Sequence, residues 1–393
     1  MKSDRQLLVK IILVVVVFWS ALLLMGEFYR YFTVPSSEAL AILPFTRVEF
    51  WQDQYQKWDS SHYLSIARDG YQADEITFFD FRRLAFFPGY SAAIKLISLV
   101  TAENYVAAGL IVDGLCLIAA LFFLFRLIRL DEDEKTSWLT IKYLLIYPWA
   151  FFFTLIYSES LFLFLSVLAF YLMRQKKWWA VGLVAGLATL TRSFGALLVF
   201  PALMESDFLV NLGALFFKKR PLSFAQFWTF FKYSWLLAFP FALGIYLLIN
   251  KYYAGDCWAF LFYQKEVWFH HFVWPWQTIQ EFWIMAHTTS WEWTLGTWGA
   301  QLVATVLTII LIICGYIKKI RPSYLIYSIL YLLLILTMSW QISGARYLAC
   351  LFPNFYIMAK LARRSPVLDL CLSIVLPLFL VLLWFLFLRG AVV

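Results

Sequence analysis

Long apolar runs separated by short polar segments dominate the hydropathy pattern of the 393-residue chain. About 20 apolar residues are enough for a helix to cross a bilayer, and shorter runs suffice when the helix is embedded among others. We therefore predict an all-α, polytopic integral membrane protein that forms one domain over residues 1–393, with about eleven transmembrane helices. The predicted spans are 10–26, 105–127, 141–156, 159–173, 178–191, 194–208, 232–250, 299–317, 323–339, 346–360 and 367–388.

The composition excludes most classes of soluble protein. Apolar residues make up 63% of the chain and charged residues only 14%, whereas a soluble domain has roughly 45–50% and about 25%, respectively. A chain of this composition cannot fold in water without exposing large apolar patches. A soluble enzyme, a disordered protein and a nucleic-acid-binding protein are therefore excluded, and membrane lipids are the expected surroundings.

Basic residues orient the predicted helices. The chain has 32 Lys and Arg against 24 Asp and Glu, a net charge of +8, and many of the basic residues fall in alternate loops, as the positive-inside rule requires of cytoplasmic loops. Clusters that mark the cytoplasmic side include Arg126/Arg129, Arg174/Lys176/Lys177, Lys218/Lys219/Arg220, Lys318/Lys319/Arg321 and Arg363/Arg364. The N-terminus is then cytoplasmic. The short helices predicted between 141 and 208 fit either full spans or re-entrant helices.

Two long loops, 27–104 and 251–298, are predicted to be extracytoplasmic. Both are rich in Trp, Tyr and Phe, which favour the interface between membrane and water. We expect these loops to form helices that lie along the outer leaflet. Residues 86–101 have apolar positions at helical spacing and predict an interfacial helix instead of a further span.

A polar run in the first outer loop is the first candidate for chemistry. Asp59, His62 and Ile66 share one face of the helix predicted there. One interpretation makes Asp59 a general base held near the membrane surface. The alternative makes it an N-cap, because Asp-Ser-Ser-His is an acceptable capping sequence.

Three further charged residues are predicted on the same side of the membrane. Glu159 lies in the turn Tyr-Ser-Glu-Ser, Arg192 follows Leu-Thr at the next outer turn, and Arg346 precedes Tyr347 at another. An arginine at an outer turn is unexpected from the positive-inside rule. Either it pairs with a carboxylate such as Glu159, or its guanidinium binds a phosphate in a bidentate manner.

No metal site and no cofactor are predicted. His270 and His271 are adjacent and lack the i, i+4 spacing of a helical zinc pair, and the five cysteines form no CxxC motif. Interfacial packing or hydrogen bonding to substrate is the expected role of these histidines.

The run WDSSHYLSIARDGY at 58–71, followed by LAFFPGY at 84–90, resembles the first luminal loop of the GPI mannosyltransferase 2 (PIG-V) family of GT-C glycosyltransferases. The helices around YSES at 157–160 and TRS at 191–193 resemble the centre of that family. Weaker family patterns are matched at 255–260 and 342–353. The resemblance therefore extends over most of the chain, from residue 58 to about 353.

This resemblance implies transfer of mannose from a polyprenyl- or dolichyl-phosphate-mannose donor to a lipid or glycan acceptor on the extracytoplasmic face. Enzymes of this kind typically invert the anomeric carbon and use a carboxylate of the first loop as base, which by position is Asp59. The implied substrate-binding residues are Trp58, His62, Tyr63, Phe87, Pro88, Glu159, Arg192 and Arg346.

The chain is shorter than eukaryotic members of that family and has a compact second outer loop, so a GPI precursor need not be its acceptor. It looks more like a prokaryotic homologue, which implies a multi-pass protein of the cell membrane; a eukaryotic one would lie in the endoplasmic reticulum. The alternatives are a lipid or solute transporter, including a flippase, and a non-catalytic scaffold of a glycosylation complex. A transporter would carry its polar residues near the bilayer midplane and show internal repeats, and a scaffold would bind donor without transferring sugar.

Overall fold

The fold is known from a computed structural model, which describes residues 2–33, 57–72, 80–208, 231 and 233–392. Its elements within those ranges are helical, and a single antiparallel bridge joins Phe272 to Met338. The α-helices are α1 Lys2–Thr33, α2 Asp59–Asp69, α3 Pro88–Ser98, α4 Tyr105–Ile128, α5 Glu134–Leu145, α6 Glu159–Arg174, α7 Trp178–Thr191, α8 Val199–Glu205, α9 Ala238–Ala254, α10 Ala259–Trp268, α11 Pro275–Thr288, α12 Gly299–Ile317, α13 Pro322–Leu336, α14 Gly344–Leu348, α15 Phe352–Ala362 and α16 Pro366–Leu388. Short 3₁₀ helices cover Asp80–Ala85, Ala150–Thr154, Ser193–Leu198 and Ser234–Leu237.

Five helices within the described residues are long and apolar enough to cross a membrane. They are Asp4–Tyr29, Tyr105–Ile128, Ser234–Ala254, Trp291–Ile317 and Pro366–Leu388. The prediction of an all-α membrane protein is thereby confirmed. The count of eleven spans stays a prediction, because the other predicted spans correspond to helices of fewer than 18 residues. The run 86–101 contains the helix α3, and its position at the membrane interface stays a prediction.

Two predicted spans are not continuous helices. The run 141–156 is interrupted after α5, which ends at Leu145. Pro148 has no backbone N–H, and in a continuous helix its ring would clash with the carbonyl four residues earlier. The run 346–360 is divided into α14 and α15, and α15 begins with Pro353 in its first turn. Both breaks replace a helix with irregular backbone, which in a membrane is tolerated where it lies within protein or lines a cavity.

The two predicted outer loops differ in how much of them the structure describes. In the first, 34–56 and 73–79 lie outside the described residues, and α1 extends to Thr33, beyond the predicted end of its span. The predicted cytoplasmic loop with Lys218 also lies outside them. In the second, a helical turn at Trp291–Trp293 and a π-helical turn at Thr294–Trp298 lead directly into α12. The helical path into α12 therefore begins within the predicted loop, and the bounds of that loop stay a prediction.

The helix α3 packs closely on α7. Gly89, in the first turn of α3, lies so near the end of α7 that an added Cβ would be 2.8 Å from the Leu190 carbonyl oxygen. Only glycine permits this approach. The helix α2 in turn packs on α3 and α4, so that its N-terminus reaches the turns that precede α6 and follow α7.

Ion pairs gather at the opposite ends of the same helices. Arg174, the last residue of α6, pairs with Asp131 at 2.5 Å, and Lys360 near the end of α15 pairs with Glu132 at 2.7 Å. Glu159, at the other end of α6, therefore lies a helix length of about 22 Å from this cluster. The ionic network at Glu159 and the ion pairs of Arg174 and Lys360 are therefore separated by the length of a helix.

Candidate active site

A cavity of about 390 Å³ opens between α2, the end of α7, the end of α10 and the segment before α14. Seven of the nine predicted site residues line it: Trp58, Asp59, His62, Tyr63, Phe87, Arg192 and Arg346. Glu159 does not line the cavity but contacts both arginines of its wall. Pro88 does not line it either; this residue begins α3, where its fixed φ suits the first helical position.

Four charged side chains form one connected network in the cavity wall. The Glu159 Oε1 atom lies 2.6 Å from Arg192 Nη1 and 3.0 Å from Arg346 Nε. Arg346 Nη2 donates a hydrogen bond of 2.8 Å to Asp59 Oδ2. The Glu159 side chain is 0% exposed and Arg346 3%, whereas Asp59 is 19% exposed. Asp59 is therefore the carboxylate of the network that substrate can reach.

The network balances its charge, with two carboxylates and two guanidinium groups. Buried charges are tolerated when they are paired, since each unpaired ion has a large desolvation cost. The interpretation of Arg192 as a partner of Glu159 is thereby confirmed; phosphate binding stays a proposal. Within this network, Glu159 Oε2 and Arg346 Nη1 have no hydrogen-bond partner among the described residues, and Arg346 Nε has only its ion-pair contact with Glu159.

Aromatic rings fix the Arg346 guanidinium. Its central carbon lies 5.1 Å from the ring centroid of Phe152 and 5.0 Å from those of Tyr157 and Tyr347. Arg192 lies 4.3 Å from the Tyr347 ring. Such cation–π contacts are stronger when they are desolvated, and these rings leave the guanidinium little freedom to rotate.

The start of α2 is strained, and Asp59 does not cap it. Trp58 takes the N-cap position with φ 53° and ψ −125°, and no side chain caps this end of the helix. The Asp59 carboxylate instead reaches Arg346, so the N-cap interpretation is wrong. Positive φ at a residue other than glycine costs on the order of 1–3 kcal/mol and persists where the surroundings enforce it. Here the Tyr157 hydroxyl donates to the Lys57 carbonyl at 3.0 Å and fixes the preceding residue.

Two other cavity residues, Phe269 and Trp340, also have positive φ, at 57° and 49°. They lie on the two segments joined by the bridge between Phe272 and Met338. The Glu281 carboxylate accepts a hydrogen bond of 2.9 Å from the Trp340 N–H. The rim of the cavity is thus irregular backbone held by side chains, and hydropathy gave no signal for Trp340 as a wall residue.

Tyr63 connects the ionic network to a second buried acid. Its hydroxyl shares a hydrogen bond of 3.1 Å with Ser158, which also accepts one from Arg192 at 3.3 Å. Burial raises the pKa of Tyr63, so the phenol stays protonated at neutral pH. The Tyr63 ring meets that of Tyr90 edge-on at 5.0 Å, and the Tyr90 hydroxyl donates to Asp113 at 2.7 Å.

Asp113 lies inside the apolar run of α4, so charged residues at predicted turns do not include it. A fully buried carboxylate in a membrane helix is itself a signal, since such residues are costly and mark functional or structural polar networks. Aromatic residues provide the rest of the wall. The His62 ring lies 4.9 Å from Phe86 and 6.2 Å from Trp268, and Phe87 stacks on Tyr246 at 4.1 Å.

His270 lines the cavity, whereas His271 does not and instead shares a hydrogen bond with Ser339. The His270 Nδ1 atom lies 2.8 Å from Gln264 Oε1. Burial lowers the pKa of His270 below its usual value, against the opposing effects of a hydrogen bond to the Trp340 backbone and of the nearby Asp59 charge. His270 is therefore neutral at pH 7, and the expectation that it could hydrogen-bond substrate stays a prediction.

Acidification should weaken the fold through His270. Its pKa is lower in the folded than in the unfolded protein, so the unfolded chain binds more protons once the pH falls below about 6.5, and stability decreases. We expect the thermal midpoint in detergent to fall less between pH 7.5 and 5.5 in His270→Asn than in the unmodified protein. The exposed His287 provides the control, since His287→Asn removes an imidazole that lies outside the cavity. A fall in His270→Asn as large as in the unmodified protein would contradict the prediction.

The chain is similar to known proteins both in sequence and in structure. Residues 6–298 match the family model described as Mannosyltransferase (PIG-V), and no curated protein sequence matches the chain. The crystal structure of the Archaeoglobus fulgidus oligosaccharyltransferase complex with Zn and sulfate is similar at 14% sequence identity and a TM-score of 0.43, over 85% of this chain and 48% of that one. The chain thus spans about half the length of that protein.

The family match confirms the resemblance found in the sequence. It includes Asp59, Glu159 and Arg192 and ends before Arg346, which the fold brings to the same network. Because the match covers well over half of its residues, the chain belongs to the PIG-V family of mannosyltransferases.

Proposed function

We propose that this protein transfers mannose from a polyprenyl-phosphate-mannose donor to a lipid or glycan acceptor, with inversion and with Asp59 as the general base. The observation that carries the proposal is the Asp59 carboxylate on the cavity wall, with one oxygen bonded to Arg346 at 2.8 Å, in a member of a mannosyltransferase family. The Oδ1 atom makes no hydrogen bond to any described residue and is available to accept a proton.

The reaction is a single displacement. Asp59 Oδ1 takes the proton of the acceptor hydroxyl while that oxygen attacks the anomeric carbon on the face opposite the phosphate. The bond from the anomeric carbon to the phosphate oxygen breaks, and polyprenyl phosphate leaves. General base catalysis of this kind contributes typically 10²–10⁴-fold in rate.

The pairing of Asp59 with Arg346 suits the movement of charge in this reaction. The donor is a phosphodiester with one negative charge, and the leaving phosphate gains a second. Protonation of Asp59 removes a negative charge from beside Arg346 at the same time, so that the guanidinium becomes available to the phosphate. Arg346 Nη2, which donates to Asp59 before the reaction, can then donate to the phosphate, and fixed donors of this kind stabilise developing charge without reorganisation.

The proposal places the cavity on the extracytoplasmic side of a cell membrane protein with about eleven spans. Two features support this side. The ion pairs of Arg174 and Lys360 lie at the other ends of the helices, where the positive-inside rule predicts cytoplasm. Exposed tryptophans of the second outer loop, including Trp274 and Trp276, suit a membrane interface close to the cavity.

The test uses the purified full chain, reconstituted in lipid vesicles with a membrane lipid extract as acceptor. We expect transfer, or slow donor hydrolysis, from radiolabelled polyprenyl-phosphate-mannose, and none from a nucleoside-diphosphate mannose. A chelator should leave the rate unchanged, because the proposal assigns charge stabilisation to the arginines. Turnover of the nucleotide donor alone, or of neither donor, would contradict the proposed function.

A further inference from the structure

Both polar atoms of the Gln301 side-chain amide form hydrogen bonds with the backbone next to Arg346. It lies in the first turn of α12 and is 2% exposed. Its Nε2 atom donates to the Gln341 carbonyl at 2.5 Å, and its Oε1 atom accepts from the Ala345 N–H at 2.9 Å. Both bonds go to the short segment 341–345, which directly precedes Arg346.

The segment 341–345 has little regular structure of its own. Its final residues begin the five-residue helix α14, which is too short to be stable by itself. Gly344 allows the segment to approach Gln301 closely, since an added Cβ would lie 2.7 Å from Gln301 Oε1. The Tyr147 hydroxyl holds the Ala345 carbonyl from the other side at 3.0 Å.

Arg346 requires an accurately placed backbone. Its guanidinium reaches Asp59 through Nη2 and Glu159 through Nε, and these two carboxylates come from different helices. A shift of the segment by about 1 Å would lengthen both contacts, and misplacements of that size can cost on the order of 10²-fold in rate.

We propose that Gln301 is a positioning residue, which sets the backbone of 341–345 so that Arg346 faces Asp59 and the leaving phosphate. This inference rests on the proposed function. This role differs from the association of helices, to which buried amides in membrane helices also contribute through interhelical hydrogen bonds. The same helix provides the comparison, because Thr308 accepts a hydrogen bond of 3.1 Å from the Asn354 side chain of α15 and has no link to the 341–346 segment.

The test compares Gln301→Met with Thr308→Val in the transfer assay. Gln301→Met removes two buried hydrogen bonds of α12 and Thr308→Val removes one, so both variants should lose thermal stability and kcat is the quantity that distinguishes them. We expect kcat to fall roughly tenfold or more in Gln301→Met and less than about twofold in Thr308→Val. Gly344→Ala displaces the Gln301 amide from the other side of the contact and should lower kcat to a similar extent. This variant tests the inference if Gln301→Met does not fold.

A double-mutant cycle with Arg346→Lys separates positioning from adhesion. If Gln301 acts through Arg346, Gln301→Met should cost little further activity in the Arg346→Lys background. Equal losses in both backgrounds, or equal kcat values for Gln301→Met and Thr308→Val, would overturn the inference while leaving the proposed function intact. Failure of the proposed function is recognised separately, because the unmodified protein would then transfer no mannose.

Discussion

Asp59→Asn is expected to lower the rate of mannose transfer by about 10²–10⁴-fold, the typical contribution of a general base. Asparagine keeps the size of the side chain and can still accept the hydrogen bond from Arg346, but it cannot take the acceptor proton. Because the change lies at the partly exposed end of the ionic network, we expect the protein to remain folded. The measurement is the initial rate of transfer by reconstituted protein, together with the thermal midpoint.

Asp69 provides the matched control, since it is the last residue of the same helix and pairs with Arg68 outside the cavity. Asp69→Asn should retain the rate of the unmodified protein within about twofold, the range expected of a residue remote from the reacting atoms. If Asp59→Asn also transferred mannose at the unmodified rate, Asp59 would not be the base.

Glu159→Gln is expected to lower the free energy of unfolding by about 3–5 kcal/mol, the usual cost of removing one partner from a buried ion pair. Two guanidinium groups share the Glu159 Oε1 atom, and both are almost fully buried. With glutamine, Asp59 would be the remaining carboxylate of the network. Unfolding in detergent micelles measures the difference, and transfer should decrease as well because Arg346 loses one of its two anchors.

Glu266 is the control for this change. Its nearest cation is Lys265 at 3.9 Å, and both side chains are well exposed, so Glu266→Gln should alter the free energy of unfolding by no more than about 0.5 kcal/mol. A loss of less than about 1 kcal/mol in Glu159→Gln would mean that the arginines are solvated and that the network does not stabilise the fold.

The sequence predicted the candidate site better than it predicted the backbone that builds it. Asp59, Arg192 and Arg346 stood out because charged residues beside apolar runs are costly, and the fold brings all three to one cavity. The meeting of Arg346 with Asp59, 287 residues apart, could not be derived from hydropathy. It depends on irregular backbone around α14.

The residues that hydropathy missed are polar groups inside predicted spans. Asp113 and Gln301 lie in long apolar runs, where a single polar residue does not change the prediction of a helix. Proline chemistry predicts helix breaks near Pro148 and Pro353, whereas the continuous apolar run at each position favours an unbroken span. Isolated polar residues and prolines within apolar runs are the sequence signals for all four.

The helix α7 has fourteen residues, from Trp178 to Thr191, between Lys177 and Arg192. Its length is about 21 Å, whereas the hydrocarbon core of a typical bilayer is about 30 Å thick. If α7 crosses the bilayer as predicted, the bilayer beside it thins, or water and headgroups descend to Arg192. A local depression of the outer leaflet would let the phosphate of a lipid donor reach the cavity while its tail remains in hydrocarbon. The mismatch in length would then give a water-soluble headgroup a path to a site below the mean membrane surface.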